Sequence, residues 1–214
     1  MNSHHHPDLI WLIDYANDAL GAGFRTVVAG HLRGCAACRT QLAAAVAIGT
    51  QLVATAPMQP APMTAAQARA TAPRRALTAP GLAPTATAVS LHEFVADVLG
   101  FAWPDLDWRR GTPGLHIARL QEHAEEHIWL LRAGPGVAMP VHTHEGAELT
   151  LILDGAYAGA GYIYRAGDVD DNDETMTHQP IVTADASCTS LLVFSGRLRY
   201  TGLIMGVGQK LLGY

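Results

Sequence analysis

Lysine occurs once, at Lys210, and even with arginine the chain has only 14 basic residues against 19 acidic ones, a formal net charge of −5. Phosphate neutralisation needs clustered positive charge, so a general nucleic-acid-binding surface is excluded. Cysteine is scarce too. Three thiols in 214 residues cannot build a disulfide framework, which leaves Cys35 and Cys38, two residues apart, as metal ligands or a redox pair. No apolar run reaches the roughly 18–20 residues of a membrane span, and residues 1–7 lack the basic-then-apolar layout of a signal peptide. The expected compartment is the cytoplasm. The hydrophobic share of 49% is inflated by alanine, and the mean hydropathy of +0.13 is ordinary. The length allows one medium domain or two small ones.

What the chain does have is unevenly placed. Residues 56–89 are nearly all Ala, Pro, Thr, Met and Gln, with Pro57, Pro60, Pro62, Pro73, Pro80 and Pro84 breaking any regular element. That composition reads as a flexible linker with a reach of about 30 Å. Before it, three acidic and three basic residues balance. After it, 16 acidic residues face 8 basic ones, a net −8. The pattern predicts two units on a loose tether, residues 1–55 and 90–214.

Residues 1–55 read as helices over 9–20, 24–34 and 37–53. So small a helical core usually needs a staple. Residues 90–214 read differently. After a helix over 91–99 come short β-like runs over 115–120, 127–132, 149–153, 156–164, 181–183, 187–195 and 199–203, separated by Gly, Pro and Asp. Such spacing predicts a sandwich or barrel of the jelly-roll kind.

His31 and Cys35 are four apart at the end of the second helix, and Cys38 follows across the Gly34 turn. Imidazole and thiolates at that spacing suit tetrahedral Zn²⁺, which takes four ligands in a closed structural site. A fourth is required, and the upstream candidates are His4, His5 and His6, of which His6 is best placed and His5 second. A redox pair would want a thioredoxin-like context that is absent here. His6, His31, Cys35 and Cys38 on a short N-terminal helical unit resemble the zinc-binding anti-sigma factors, whose mark is H-x3-C-x2-C with an upstream histidine.

A second constellation starts at Gly136 and runs through His142, His144 and Glu148 to Gly155. Residues two apart on a strand share a face, so two imidazoles and a carboxylate line one wall and make a facial metal triad, with His178 the evident fourth donor. This is the spacing of the first cupin motif, G-x5-H-x-H-x3-E-x6-G, met at every fixed position. The second motif departs: Gly167 and Asp168 are kept, His178 comes late and the terminal Asn is missing.

Taken together, a small zinc-stapled helical domain, an Ala/Pro linker and a C-terminal cupin β-barrel resemble the ChrR-type anti-sigma factors over nearly the whole chain. The resemblance implies a partner, a sigma factor of the extracytoplasmic-function class; the balanced charge of residues 1–55 and the lack of a long apolar run leave no direct DNA or membrane contact to expect. It also implies a stimulus, singlet oxygen or organic peroxide, registered by a barrel holding Zn²⁺, or Fe²⁺ or Mn²⁺. Leu9, Ile10, Leu12, Ile13, Phe24, Val27 and Val28 are then candidates for the partner-facing surface. The rival is an enzyme, a metal-dependent cupin dioxygenase or isomerase, which would have no use for the N-terminal cluster. Cys188 is expected to be a buried, inert thiol, and Asp168, Asp170, Asp171, Asp173 and Glu174 a solvated loop.

Overall fold

The computed structural model describes residues 3–55, 89–123 and 126–200. All but the last position of the expected linker, and the end of the last expected strand, lie outside the described residues. Three helices come first: α1 (Leu9–Ala16), α2 (Ala22–Gly34) and α3 (Ala36–Thr55). Asp8 caps α1 by accepting from the Ile10 amide. A fourth helix, α4 (Leu91–Leu99), opens on a capping box between Ser90 and Glu93 and closes on Gly100 in the left-handed region.

Eleven short strands follow: β1 (Arg109–Arg110), β2 (Leu115–His123), β3 (Glu126–Ala133), β4 (His142–His144), β5 (Glu148–Asp154), β6 (Ala156–Gly159), β7 (Tyr162–Arg165), β8 (Val169–Asn172), β9 (Ile181–Val182), β10 (Cys188–Phe194) and β11 (Leu198–Tyr200). They pair antiparallel into a six-stranded sheet in the order β1-β2-β3-β10-β5-β8, a three-stranded sheet β7-β6-β9 and the pair β11-β4. An isolated bridge between His142 and His178 ties β4 to the segment before β9. The expected single run over 156–164 is instead a hairpin. It turns at Ala160 and Gly161, both at positive φ.

The six-stranded sheet is buried on both faces. Trp129, Leu131, Ile152, Leu192 and Phe194 fill the barrel interior with Tyr157 and Met139. Their strand neighbours Ile128, Leu130, Leu149, Leu151, Leu153, Leu191 and Val193 join one core with Leu12, Phe24, Val27, Val28 and Leu32 of the helices. The helical unit therefore does not depend on its own small core. At about 1.5–3 kcal/mol for each fully buried aliphatic side chain, this shared layer is a major part of what holds α1 to α3 in place.

Helix α2 lies directly on the sheet because two of its positions lack a side chain. An added Cβ at Gly23 would sit 2.8 Å from Ile128 and Val193 side-chain atoms, and one at Gly30 would sit 2.6 Å from Leu151 Cδ2. Seven residues apart, these glycines stand two turns apart on one face.

Two expectations are corrected here. Asp168 and Asp170 are not in a solvated loop: they are buried at the entry to and inside β8, and Asp170 accepts from the Tyr157 hydroxyl at 2.8 Å. Asp173 and Glu174 are exposed beyond β8, as expected, whereas Asp171, also exposed, lies within β8 and accepts from the Asp8 amide at 2.8 Å. Among the candidate partner-facing residues, Leu12, Phe24, Val27 and Val28 are buried in the shared core, while Leu9 and Ile10 remain exposed. Cys188 is buried inside the barrel, where burial pushes its thiol up to about 12.

Candidate metal centres

The first centre forms where three helices meet. His31 occupies the last turn of α2, Cys35 leaves that helix in an extended conformation, and Cys38 sits in the first turn of α3. His6 arrives from the segment before α1. Its Nδ1 lies 3.2 Å from His31 Nε2, 3.3 Å from Cys35 Sγ and 3.5 Å from Cys38 Sγ, while His31 Nε2 is 3.3 Å from Cys38 Sγ. All four donors lie within 4.8 Å of one another, and all but His6 are buried.

The protonation states follow from the neighbours. Burial lowers the His31 pKa, and His31 Nδ1 donates to the Gly167 carbonyl at 2.8 Å. A carbonyl only accepts, so Nδ1 carries the proton and the Nε2 lone pair faces the cluster. Burial, with the adjacent Cys35 thiol adding to it, pushes the Cys38 thiol up to about 12. Lone pairs and sulfurs packed this closely, with no cationic side chain among them, suit a divalent cation. Zinc bonds of about 2.0–2.1 Å to nitrogen and about 2.3 Å to sulfur give a tetrahedral nitrogen–nitrogen edge of about 3.4 Å and nitrogen–sulfur edges of about 3.6 Å, near the separations observed. The donor set fits zinc.

The second centre lies inside the barrel. His142 Nε2 is 3.0 Å from His178 Nε2 and 3.6 Å from Glu148 Oε2, and His178 Nε2 is 3.3 Å from Glu148 Oε1. His144 stands beside them with its ring 5.8 Å from that of His178. The tight group within 4.8 Å comprises His142, Glu148 and His178, without His144. His142 Nδ1 donates to Pro140 O at 2.8 Å and His144 Nδ1 to Gly146 O at 2.7 Å, so both rings turn Nε2 inward. His144 Nε2 and Glu148 Oε2 are buried without a hydrogen-bond partner.

Against its burial, the two facing histidines hold the Glu148 carboxyl down at about 2. Burial works against a charged His142 too, but Glu148 outweighs it and raises that pKa. Two buried ligand atoms without a partner, beside the tight group of His142, Glu148 and His178, fit a cation with open coordination positions. The last glycine of the motif has a backbone reason: Gly155 has φ +73°, and an added Cβ would run into the Ser187 carbonyl oxygen.

Sequence reasoning missed the barrel groups that hold the helical unit. Gly167 and Asp168 contact the first centre's histidine segments, and Glu126 contacts the start of α2. The one available signal was the alternation in residues 168–172, where Asp168, Asp170 and Asn172 are buried polar residues with period two.

Two donor clusters in one chain, one of them on helices that a barrel enzyme does not require, point to an anti-sigma factor built on a cupin-like barrel. Residues 99–199 match the family described as the ChrR cupin-like domain. The chain is 32% identical to the anti-sigma-E factor ChrR of Cereibacter sphaeroides, over 95% of each sequence. It is also similar to the crystal structure of Rhodobacter sphaeroides SigE in complex with the anti-sigma ChrR, with 31% identity, a TM-score of 0.65, and 90% of this chain and all of that one covered. The chain belongs to the ChrR family of anti-sigma factors. Its relative is an anti-sigma factor, which favours the regulatory reading over the dioxygenase or isomerase one. Among the described residues no helix is long and apolar enough to cross a membrane.

Proposed function

We propose that this chain sequesters a sigma factor of the extracytoplasmic-function class through its helical unit and releases it when singlet oxygen or an organic peroxide acts on the barrel. The observation that carries this reading is the convergence of His6, His31, Cys35 and Cys38 at the joint of α1, α2 and α3, in a chain related to ChrR over nearly its whole length. Zinc bound there supplies the divalent charge that keeps both thiols as thiolates and locks the joint. His6 fixes the entry to α1, His31 and Cys35 the end of α2, and Cys38 the start of α3, so the four side chains together set the angles between the helices. In the barrel, His142, His144, Glu148 and His178 would hold Zn²⁺, or Fe²⁺ or Mn²⁺.

The surface for the partner is supported by exposed apolar side chains. On α3, Ile48, Leu52 and Val53 are 59%, 65% and 72% exposed, and Leu9 and Ile10 add to them on α1. Side chains of this size left in water on a helix end that buries little else suit a protein partner. Inhibition then needs no catalysis: the helices occupy sigma surfaces that otherwise meet polymerase. The test is co-expression with an extracytoplasmic-function sigma factor from the same genome, then pull-down with and without Cys35→Ala and Cys38→Ala. Capture by the unaltered chain and loss in both variants is expected, and equal capture by all three would remove the metal from the mechanism.

A further inference from the structure

The segment that brings His6 to the first centre is held by the barrel rather than by the helices. The buried carboxylate of Asp168, 1% exposed, accepts from the His4 amide at 2.7 Å and the His5 amide at 3.3 Å through Oδ1. Its Oδ2 accepts from the Arg165 amide at 2.9 Å, which fixes the turn between β7 and β8. One residue further, the Val169 amide donates to His5 O at 3.2 Å. Gly167, in the same turn, accepts from His31 Nδ1 at 2.8 Å and from Ser3 Oγ at 3.2 Å. A single barrel turn therefore orients both histidines of a centre whose other donors, Cys35 and Cys38, lie on the helices.

We infer that Gly167 and Asp168 are positioning residues for the N-terminal metal, so that retention of the ion and the seating of the segment before His6 and of the His31 ring on this turn are one coupled equilibrium. The inference rests on the metal reading of His6, His31, Cys35 and Cys38 given above. The Gly167 carbonyl fixes the His31 tautomer and ring plane, as groups behind a metal ligand do. The Asp168 carboxylate fixes the backbone just before His6. Coupling is reciprocal: whatever withdraws the turn loosens the metal, and loss of the metal loosens the turn. The turn also leads straight into β8, whose last residue, Asn172, pairs in register with Glu148 of the barrel centre. Four residues of strand, about 13 Å, join the two centres.

Asp168→Asn tests this in the full chain loaded with Co²⁺ in place of zinc. Both carboxylate oxygens accept, and a carboxamide has one accepting oxygen, so either the His4 and His5 amides or the Arg165 amide loses its partner. A thiolate-to-cobalt band reports the first centre alone, because the barrel donors are imidazoles and a carboxylate. With excess chelator, the band should decay about 10–100-fold faster in Asp168→Asn than in the parent chain, the range typical of groups behind a metal ligand. Glu126→Gln, which loosens the far end of α2 without touching a metal-ligand segment, should leave the decay within about twofold; that threshold is an order-of-magnitude allowance for indirect effects. Equal decay in Asp168→Asn and the parent, with barrel cobalt retained in both, overturns the inference alone. Equal acceleration by both variants reassigns the effect to docking in general and overturns the positioning role. Absence of a thiolate band in the parent chain overturns the metal reading and the inference with it.

Discussion

Helix α2 is preceded by Gly21 at its cap position, which offers no side-chain cap, and the barrel supplies one instead. The Glu126 carboxylate of β3, itself buried, accepts from the Gly23 and Phe24 amides, both at 3.1 Å. A carboxylate at a helix N-terminus satisfies two otherwise orphaned donors and faces the positive end of the helix dipole. Hydrogen bonds to a charged group contribute about 1.5–3 kcal/mol each, and loss of a helix cap costs about 0.5–2 kcal/mol. Glu126→Ala strands both amides, so the expected local cost is about 3 kcal/mol. Glu126→Gln keeps one acceptor oxygen, and its expected cost is about 1 kcal/mol. At about 1.4 kcal/mol per factor of ten, Glu126→Ala should raise the exchange rate of the Gly23 and Phe24 amides about a hundredfold, and Glu126→Gln several-fold. Amide hydrogen exchange on the full chain reads both, with α4 as an internal reference. Exchange at Gly23 and Phe24 within about threefold of the parent in Glu126→Ala, a change worth well under 1 kcal/mol, would mean that the barrel does not cap the helix.

The remaining expectations concern the glycine face, the barrel thiol and the partner surface. Gly23→Ala should destabilise the chain by about 1–3 kcal/mol, because its Cβ would meet side-chain atoms close to the backbone of Ile128 and Val193. Gly30→Ala, opposed only by the tip of Leu151, should cost less, since helix propensity returns about 1 kcal/mol; urea melts of the two variants give the order. Cys188, with its thiol held at about 12 against an ordinary 9.0, should resist alkylation at pH 8 in the folded chain and react in urea. Because its folded pKa is raised, its contribution to stability is full below pH 9.0 and is lost as pH rises from there toward about 12, and Cys188→Ala should flatten that decline. Leu52→Asp should change the melting midpoint little, within about 0.5 kcal/mol for an exposed site, yet weaken capture of the sigma factor at least tenfold, which a binding titration measures.

The donor clusters were legible in the sequence because their geometry is local. His31, Cys35 and Cys38 sit across one helix junction, and His142, His144 and Glu148 lie on one short strand and the start of the next. Only His6 and His178 had to be brought in from elsewhere, His6 by its place beside the first helix and His178 by its place after Gly167 and Asp168. The barrel was legible as short runs between turn residues, although the tight turn at Ala160 and Gly161 was absorbed into a single run. The docking of the helices was not read, because it depends on contacts more than a hundred residues apart, such as Gly23 to Glu126 and His31 to Gly167. Its trace was present all the same. In β5 and β10 apolar residues occupy both faces, as in Leu149, Leu151 and Ile152, and a sheet covered on both sides needs a second layer. Asp168 and Asp170 were misread because acidic residues in a run usually face water, and only their partners in the fold, the N-terminal amides and Tyr157, explain their burial.

The most direct measurement is a calorimetric titration of the sigma factor into the full chain, once metal-loaded and once stripped with a chelator and returned to the same buffer. Tight one-to-one binding by the loaded chain, weakened at least a hundredfold by stripping and restored by zinc, is the expected result; that factor corresponds to about 2.7 kcal/mol. Equal affinity in both states would contradict the claim that His6, His31, Cys35 and Cys38 build the docking surface by holding a metal.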